Sequence, residues 1–125
     1  MNTLRRLFVV SFVAVAAMVG IGVGTASAST SATVGCTRTV IDYVPLGGGK
    51  AQVNWVESQN VCGAYNGHFQ VVGVNQPERY PIVSFRVYVN RIGYNNEPYC
   101  GTGWRLNSPG NYTNMGTACP RISAW

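Results

Sequence analysis

From Thr39 onward the chain is a series of short apolar runs broken by clusters of Gly, Pro and Asn. No segment keeps a helical period. Ile82 to Val89 is the clearest strand. Val83, Phe85, Val87 and Val89 share one face, and Ser84, Arg86 and Tyr88 share the other, the two-residue period of a half-buried strand. Ala51, Val53 and Trp55 alternate in the same way with Gln52 and Asn54. Thr39 to Val44 is a further run, and Pro45 to Lys50 is a turn that would join it to Ala51–Trp55 as a hairpin. Glu57 to Gly67 reads as a polar loop, His68 to Val74 as a strand, Asn75 to Pro81 as a proline-stiffened loop and Asn90 to Pro98 as another loop. Short strands at this spacing predict an all-β fold, a small antiparallel β-sandwich or barrel-like domain.

The last hairpin is the most specific expectation. Tyr99–Asn107 and Tyr112–Cys119 flank Ser108-Pro109-Gly110-Asn111. Pro-Gly suits the centre of a type II turn, because Pro fixes φ and Gly accepts a positive φ. Centring the turn there sets Trp104 against Met115, Leu106 against Thr113 and Cys100 against Cys119. Cys100, Trp104, Leu106, Met115 and Cys119 then share one face. Tyr99, Arg105, Tyr112 and Asn114 share the other. Gly101, Gly103 and Gly116 are places where a bulge would shift this register.

The start of the chain follows a different pattern. Arg5 and Arg6 precede an apolar run from Leu7 to Gly24, and Ala26-Ser27-Ala28 is a small-residue cleavage motif. Residues 1–28 are therefore expected to be a signal peptide, cut before Ser29. An uncleaved anchor is the rival reading, disfavoured by Gly20, Gly22 and Gly24. Residues 29–35, rich in Ser, Thr and Ala, are expected to be a flexible arm, and residues 36–125 a single β domain. The expected location is secreted, with no membrane contact after cleavage.

Composition adds constraints. Of nine basic residues, Arg5 and Arg6 lie in the leader, so seven remain against four acidic ones. The basic residues are scattered, without the stripe that nucleic-acid binding requires. Four cysteines, Cys36, Cys62, Cys100 and Cys119, all lie in the mature part. An even count in an exported chain predicts two disulfides. The hairpin register favours Cys100–Cys119, which leaves Cys36–Cys62; four cysteines allow three pairings. A zinc site would need close pairs such as C-x-x-C, and none is present. No metal or cofactor is expected, and a monomer is.

His68 is the only histidine and has no nucleophile or carboxylate pattern beside it in the sequence, so it reads as a strand-end residue. Asp42, Glu57, Glu78 and Glu97 are scattered carboxylates with no glycosidase spacing to read. The mature chain holds three Trp, seven Tyr and ten Asn. Exposed aromatic rings stack on sugars and amides bond their hydroxyls, so Arg86, Tyr88, Tyr99, Arg105 and Tyr112 are the candidate ligand-binding residues, expected on one outward surface. The competing view is that these rings fill a small core and its rim.

The string Tyr99-Cys100-Gly101-Thr102-Gly103-Trp104-Arg105-Leu106-Asn107, followed by Ser108–Tyr112, Gly116 and Cys119, resembles the tail of uncharacterised small secreted actinobacterial proteins. Gly67-His68-Phe69-Gln70-Val71 is similar to a segment of the same group. The resemblance implies export and fold and carries over no catalytic residue. The expectation is a non-enzymatic extracellular binding protein for polysaccharide, cell-surface glycan or an extracellular protein. The alternatives are a proteinase inhibitor using the loop at Arg79, and a small hydrolase.

Overall fold

The computed structural model describes residues 26–125, so all but the last three residues of the expected leader lie outside the described residues. Eight strands follow in order: β1 (Ala28–Val34), β2 (Thr37–Gly47), β3 (Lys50–Asn60), β4 (Gly67–Val71), β5 (Val74–Asn75), β6 (Ser84–Tyr94), β7 (Gly101–Ser108) and β8 (Asn111–Ala118). They form two antiparallel sheets of four strands, β1-β2-β3-β6 and β5-β4-β7-β8. The sheets pack face to face as a sandwich, with β1 and β2 against β8, β3 against β7 and β6 against β4.

Strand alternation explains the core. Ile41, Tyr43, Val53 and Val56 project from the first sheet and Phe69 and Val71 from the second, all buried. Ile82, Tyr99, Ile122 and Ala124 complete the layer from outside the strands. The C-terminal tail is held by backbone bonds from Asn96 N to Ile122 O and from Ile122 N to Glu97 O, while Trp125 is 89% exposed. Part of the interior is polar. Thr37, Thr39 and Ser58 are fully buried, and the Thr39 and Ser58 hydroxyls bond each other at 2.8 Å. Across from them β7 presents Gly101 and Gly103, where any Cβ would strike Ser58, Thr39, Thr37 or Tyr65. Two glycines therefore let the sheets close over this hydroxyl layer.

Both disulfides form, Cys36–Cys62 and Cys100–Cys119. Each closes a loop of unfolded chain and stabilises a small domain by about 2–4 kcal/mol. Such bonds persist in an oxidising compartment. Ser84–Val89 and the Pro45–Lys50 hairpin agree with the pattern reading, whereas Ile82 and Val83 precede β6 and Val83 is exposed; Gly110 takes φ 75° in its turn.

Four expectations need correction. Residues 29–35 are not a loose arm: Ser29–Val34 pair with β2 from Asp42 to Thr37, and Ala28, Thr30 and Ala32 turn inward, half-buried. The supposed loop after Glu57 continues β3 to Asn60, because Ser58 is a buried polar residue whose hydroxyl has a partner. The expected loop after Asn90 continues β6 to Tyr94; Asn90 sits at φ 49° in the irregular stretch where β6 shifts register against β3. In the last hairpin the register holds at Ser108↔Asn111 and Thr102↔Thr117. Between them it slips by one, so that Trp104 pairs with Asn114 and Leu106 with Tyr112. A slip of one residue exchanges faces. Tyr112 and Asn114 therefore join Trp104 on the outer face, while Arg105 lies on the side of the buried Gly101 and Gly103.

Candidate functional site

The outer face of the first sheet carries a transverse row. Ser29, Asp42, Trp55 and Tyr88 are successive register partners across β1, β2, β3 and β6. At strand spacings of about 4.8 Å the row spans roughly 14 Å. Tyr88 is 67% exposed in mid-strand. Arg86 lies beside it, its guanidinium carbon 3.7 Å from the Trp55 ring centroid and its Nε 3.2 Å from Glu57 Oε1. The cation is thus stacked on an aromatic face and tied to a carboxylate. Its pKa is raised above the ordinary arginine value, first by the Tyr88 hydroxyl and then by Glu57. Asn54 Nδ2 donates to Asp42 Oδ2 at 2.9 Å. Further along β6, Ile92 and Tyr94 are exposed on this same face. Aromatic rings, amides, carboxylates and a guanidinium therefore share one open sheet face.

The outer face of the second sheet carries a tighter cluster. His68 pairs with Trp104 across β4 and β7, and Trp104 with Asn114 across β8. Glu78 Oε1 lies 2.8 Å from His68 Nδ1 and accepts the Tyr112 hydroxyl at 2.5 Å. The His68 and Tyr112 rings meet edge to face, with centroids 4.9 Å apart. A carboxylate acceptor places the ring hydrogen on Nδ1 and leaves Nε2 free of that bond. Glu78 Oε2 is buried without a hydrogen-bond partner among the described residues. Donation to Glu78 raises the Tyr112 pKa.

The five sequence candidates do not share one surface. Arg86 and Tyr88 come together on the first sheet, and Tyr112 stands on the opposite outer face. Tyr99 is a core residue, 1% exposed, whose hydroxyl bonds Glu97 at 2.7 Å. Arg105 is exposed and lines a cleft beside Cys62. Sequence reasoning missed Trp55 as the partner of Tyr88 and missed the His68–Glu78 contact. The available signal for the contact was the proline-bounded segment after β4. It folds back so that Arg79 and Gly67 exchange backbone bonds of 2.7 and 3.1 Å, which carries Glu78 alongside His68.

Among the described residues no group of three or more His, Cys, Asp or Glu is placed to hold a metal ion. No protein-family model, curated protein or solved structure matches the chain.

Proposed function

We propose that this is a secreted, non-enzymatic binding protein whose outer Trp55–Tyr88 face takes a polysaccharide or cell-surface glycan. The observation that carries the reading is Tyr88. An aromatic ring two-thirds exposed midway along the edge strand β6, beside Trp55, is an unusual use of a large apolar side chain. Its neighbours Asp42, Asn54, Glu57 and Arg86 supply donors and acceptors for sugar hydroxyls. An open sheet face suits an extended chain rather than a small enclosed ligand. Export follows from the leader pattern and accords with two disulfides.

The test is retention of the purified, oxidised protein on insoluble chitin, cellulose and peptidoglycan. Retention on one of them, released by free sugar and lost in Tyr88→Ala with unchanged folding, is the expected result. Binding to none, or binding unaltered in Tyr88→Ala, would overturn the reading.

The His68–Glu78 pair favours a hydrolase as the second reading, since an oriented histidine is half of an acid–base device. It predicts turnover that is lost in both His68→Ala and Glu78→Gln while glycan retention persists. The inhibitor reading is weakened by geometry. A substrate-like loop must offer its backbone to the enzyme, whereas Arg79 N–H and C=O are both engaged by Gly67.

A further inference from the structure

Between the segment 62–66 and the last hairpin lies a cleft of about 460 Å³, within the range of small-ligand sites. Its walls are Cys62, Gly63, Ala64, Tyr65 and Asn66 on one side and Arg105, Leu106 and Met115 on the other. The unbroken alternation of β7 places it. Arg105 occupies the inward side of β7 one step beyond Gly103, where the facing sheet has ended and the 62–66 segment takes its place.

Among the described residues Arg105 has no counter-ion. The protein holds four acidic residues. Asp42 is bonded by Asn54, Glu57 by Arg86, Glu78 by His68 and Tyr112, and Glu97 by Tyr99 and Arg91. The guanidinium thus faces a cleft that contains no carboxylate. The opposite wall supplies further donors. The backbone N–H groups of Gly63, Ala64, Tyr65 and Asn66 reach no acceptor among the described residues. Unpaired backbone N–H groups near an unpaired guanidinium are donors that a carboxylate can use. Met115, packed against the core, adds an apolar surface that bare phosphate or sulfate would not use.

From this charge complementarity we infer that the Arg105 cleft binds a carboxylate carried on an apolar group. This chemistry belongs to the C-terminal residue of a peptide and equally to a free apolar carboxylic acid. The carboxylate pairs with the Arg105 guanidinium and the Gly63–Asn66 amides, and the apolar group lies on Met115. The site is separate from the Trp55–Tyr88 face, so its existence does not depend on glycan binding.

The test is amide chemical-shift titration of the full mature protein with N-acetyl-leucine, N-acetyl-leucine amide, acetate and inorganic phosphate. N-acetyl-leucine should shift Gly63–Asn66 with millimolar affinity and more tightly than acetate, and the neutral amide should not. Arg105→Gln should weaken it about tenfold or more, with Arg105→Lys retaining part of the affinity. A short peptide ending in Leu then identifies the source. Tighter binding than N-acetyl-leucine assigns the site to peptide C-termini, and equal binding to the free acid; either result supports it. No shift at Gly63–Asn66, an equal shift from the neutral amide or from phosphate, or an unchanged response in Arg105→Gln would each overturn it.

Discussion

Gly101 stands directly opposite Ser58, so close that a Cβ on the glycine would overlap the serine hydroxyl. That hydroxyl is bonded to Thr39, and all three positions are buried. The contact locks the two sheets together where the interior is polar rather than apolar. Gly101→Ala should therefore destabilise by about 1–3 kcal/mol, the usual cost of forcing extra volume into a packed interior. Ser58→Ala alone also destabilises, by leaving the Thr39 hydroxyl unpaired. The double variant Ser58→Ala/Gly101→Ala should lose less than the sum of the two, because the serine that obstructs the new methyl is gone. Urea unfolding of the four proteins checks this. Strict additivity would show that the two residues do not act on each other.

Tyrosines shape the alkaline limit. The pKa values of Tyr65, Tyr99 and Tyr112 are all raised above the ordinary value: Tyr65 by burial, Tyr99 by burial and then Glu97, Tyr112 by its bond to Glu78. Below about pH 10 these groups are protonated in the folded and unfolded chains alike, and their contribution is fully present. Above it the unfolded chain loses its protons first and so binds fewer than the native state. Stability must then fall as pH rises through the raised native values. Unfolding followed between pH 8 and 11.5 should show a plateau and then a decline, with absorbance at 295 nm revealing a late-ionising group of tyrosines. Tyr65→Phe removes a buried hydroxyl that has no partner among the described residues. It should be neutral or stabilising by up to about 1 kcal/mol at neutral pH, and should soften the alkaline decline.

The two disulfides differ in access. Cys62 is exposed in its loop, whereas Cys100 and Cys119 are each half-buried beside Ala118 and Tyr99. Attack by a thiolate requires access to a sulfur. Limited treatment with reductant under native conditions should open Cys36–Cys62 first. Alkylation and peptide mass mapping would read the order directly, and equal or reversed opening would contradict it.

Much of the fold was legible because its determinants are local. The alternation in Ser84–Val89 and the Pro109-Gly110 turn specify strand and hairpin without reference to distant residues. The cysteine pairing also survived, since the register at Gly101↔Ala118 is the one that the turn implies. What escaped is non-local. Two irregularities of opposite sense shift Trp104 to Asn114 and then restore the count, so the faces between them invert while the ends remain correct. The polar run Glu57–Asn60 hides a strand because Ser58 is satisfied by Thr39 from a neighbouring strand. His68 and Glu78 meet only because the 77–81 segment doubles back on β4, a tertiary event with no periodic signature. The candidate surface divided for the same reason: strands that alternate correctly in isolation still belong to two different sheets.

β1 offers the clearest consequence of a misread segment. Its residues Ser29–Val34 have the composition of a loose arm, yet they pair along β2 and reach β8. There a Cβ on Gly116 would strike the Val34 carbonyl, and Cys36 N donates to Met115 O at 2.8 Å. The strand thus closes one side of the sandwich and covers the edge of β2. A protein beginning at Gly35 should lose about 2–4 kcal/mol relative to one beginning at Ser29, from the ladder bonds and the half-buried Thr30 and Ala32. Its β2 edge, newly unpaired, should also promote self-association. Amide exchange separates strand from arm in the longer protein. Protection of alternate amides between Ser29 and Val34 is expected from an edge strand bonded on one side. Uniformly fast exchange there, with equal stability of the two proteins, would return the segment to a flexible arm.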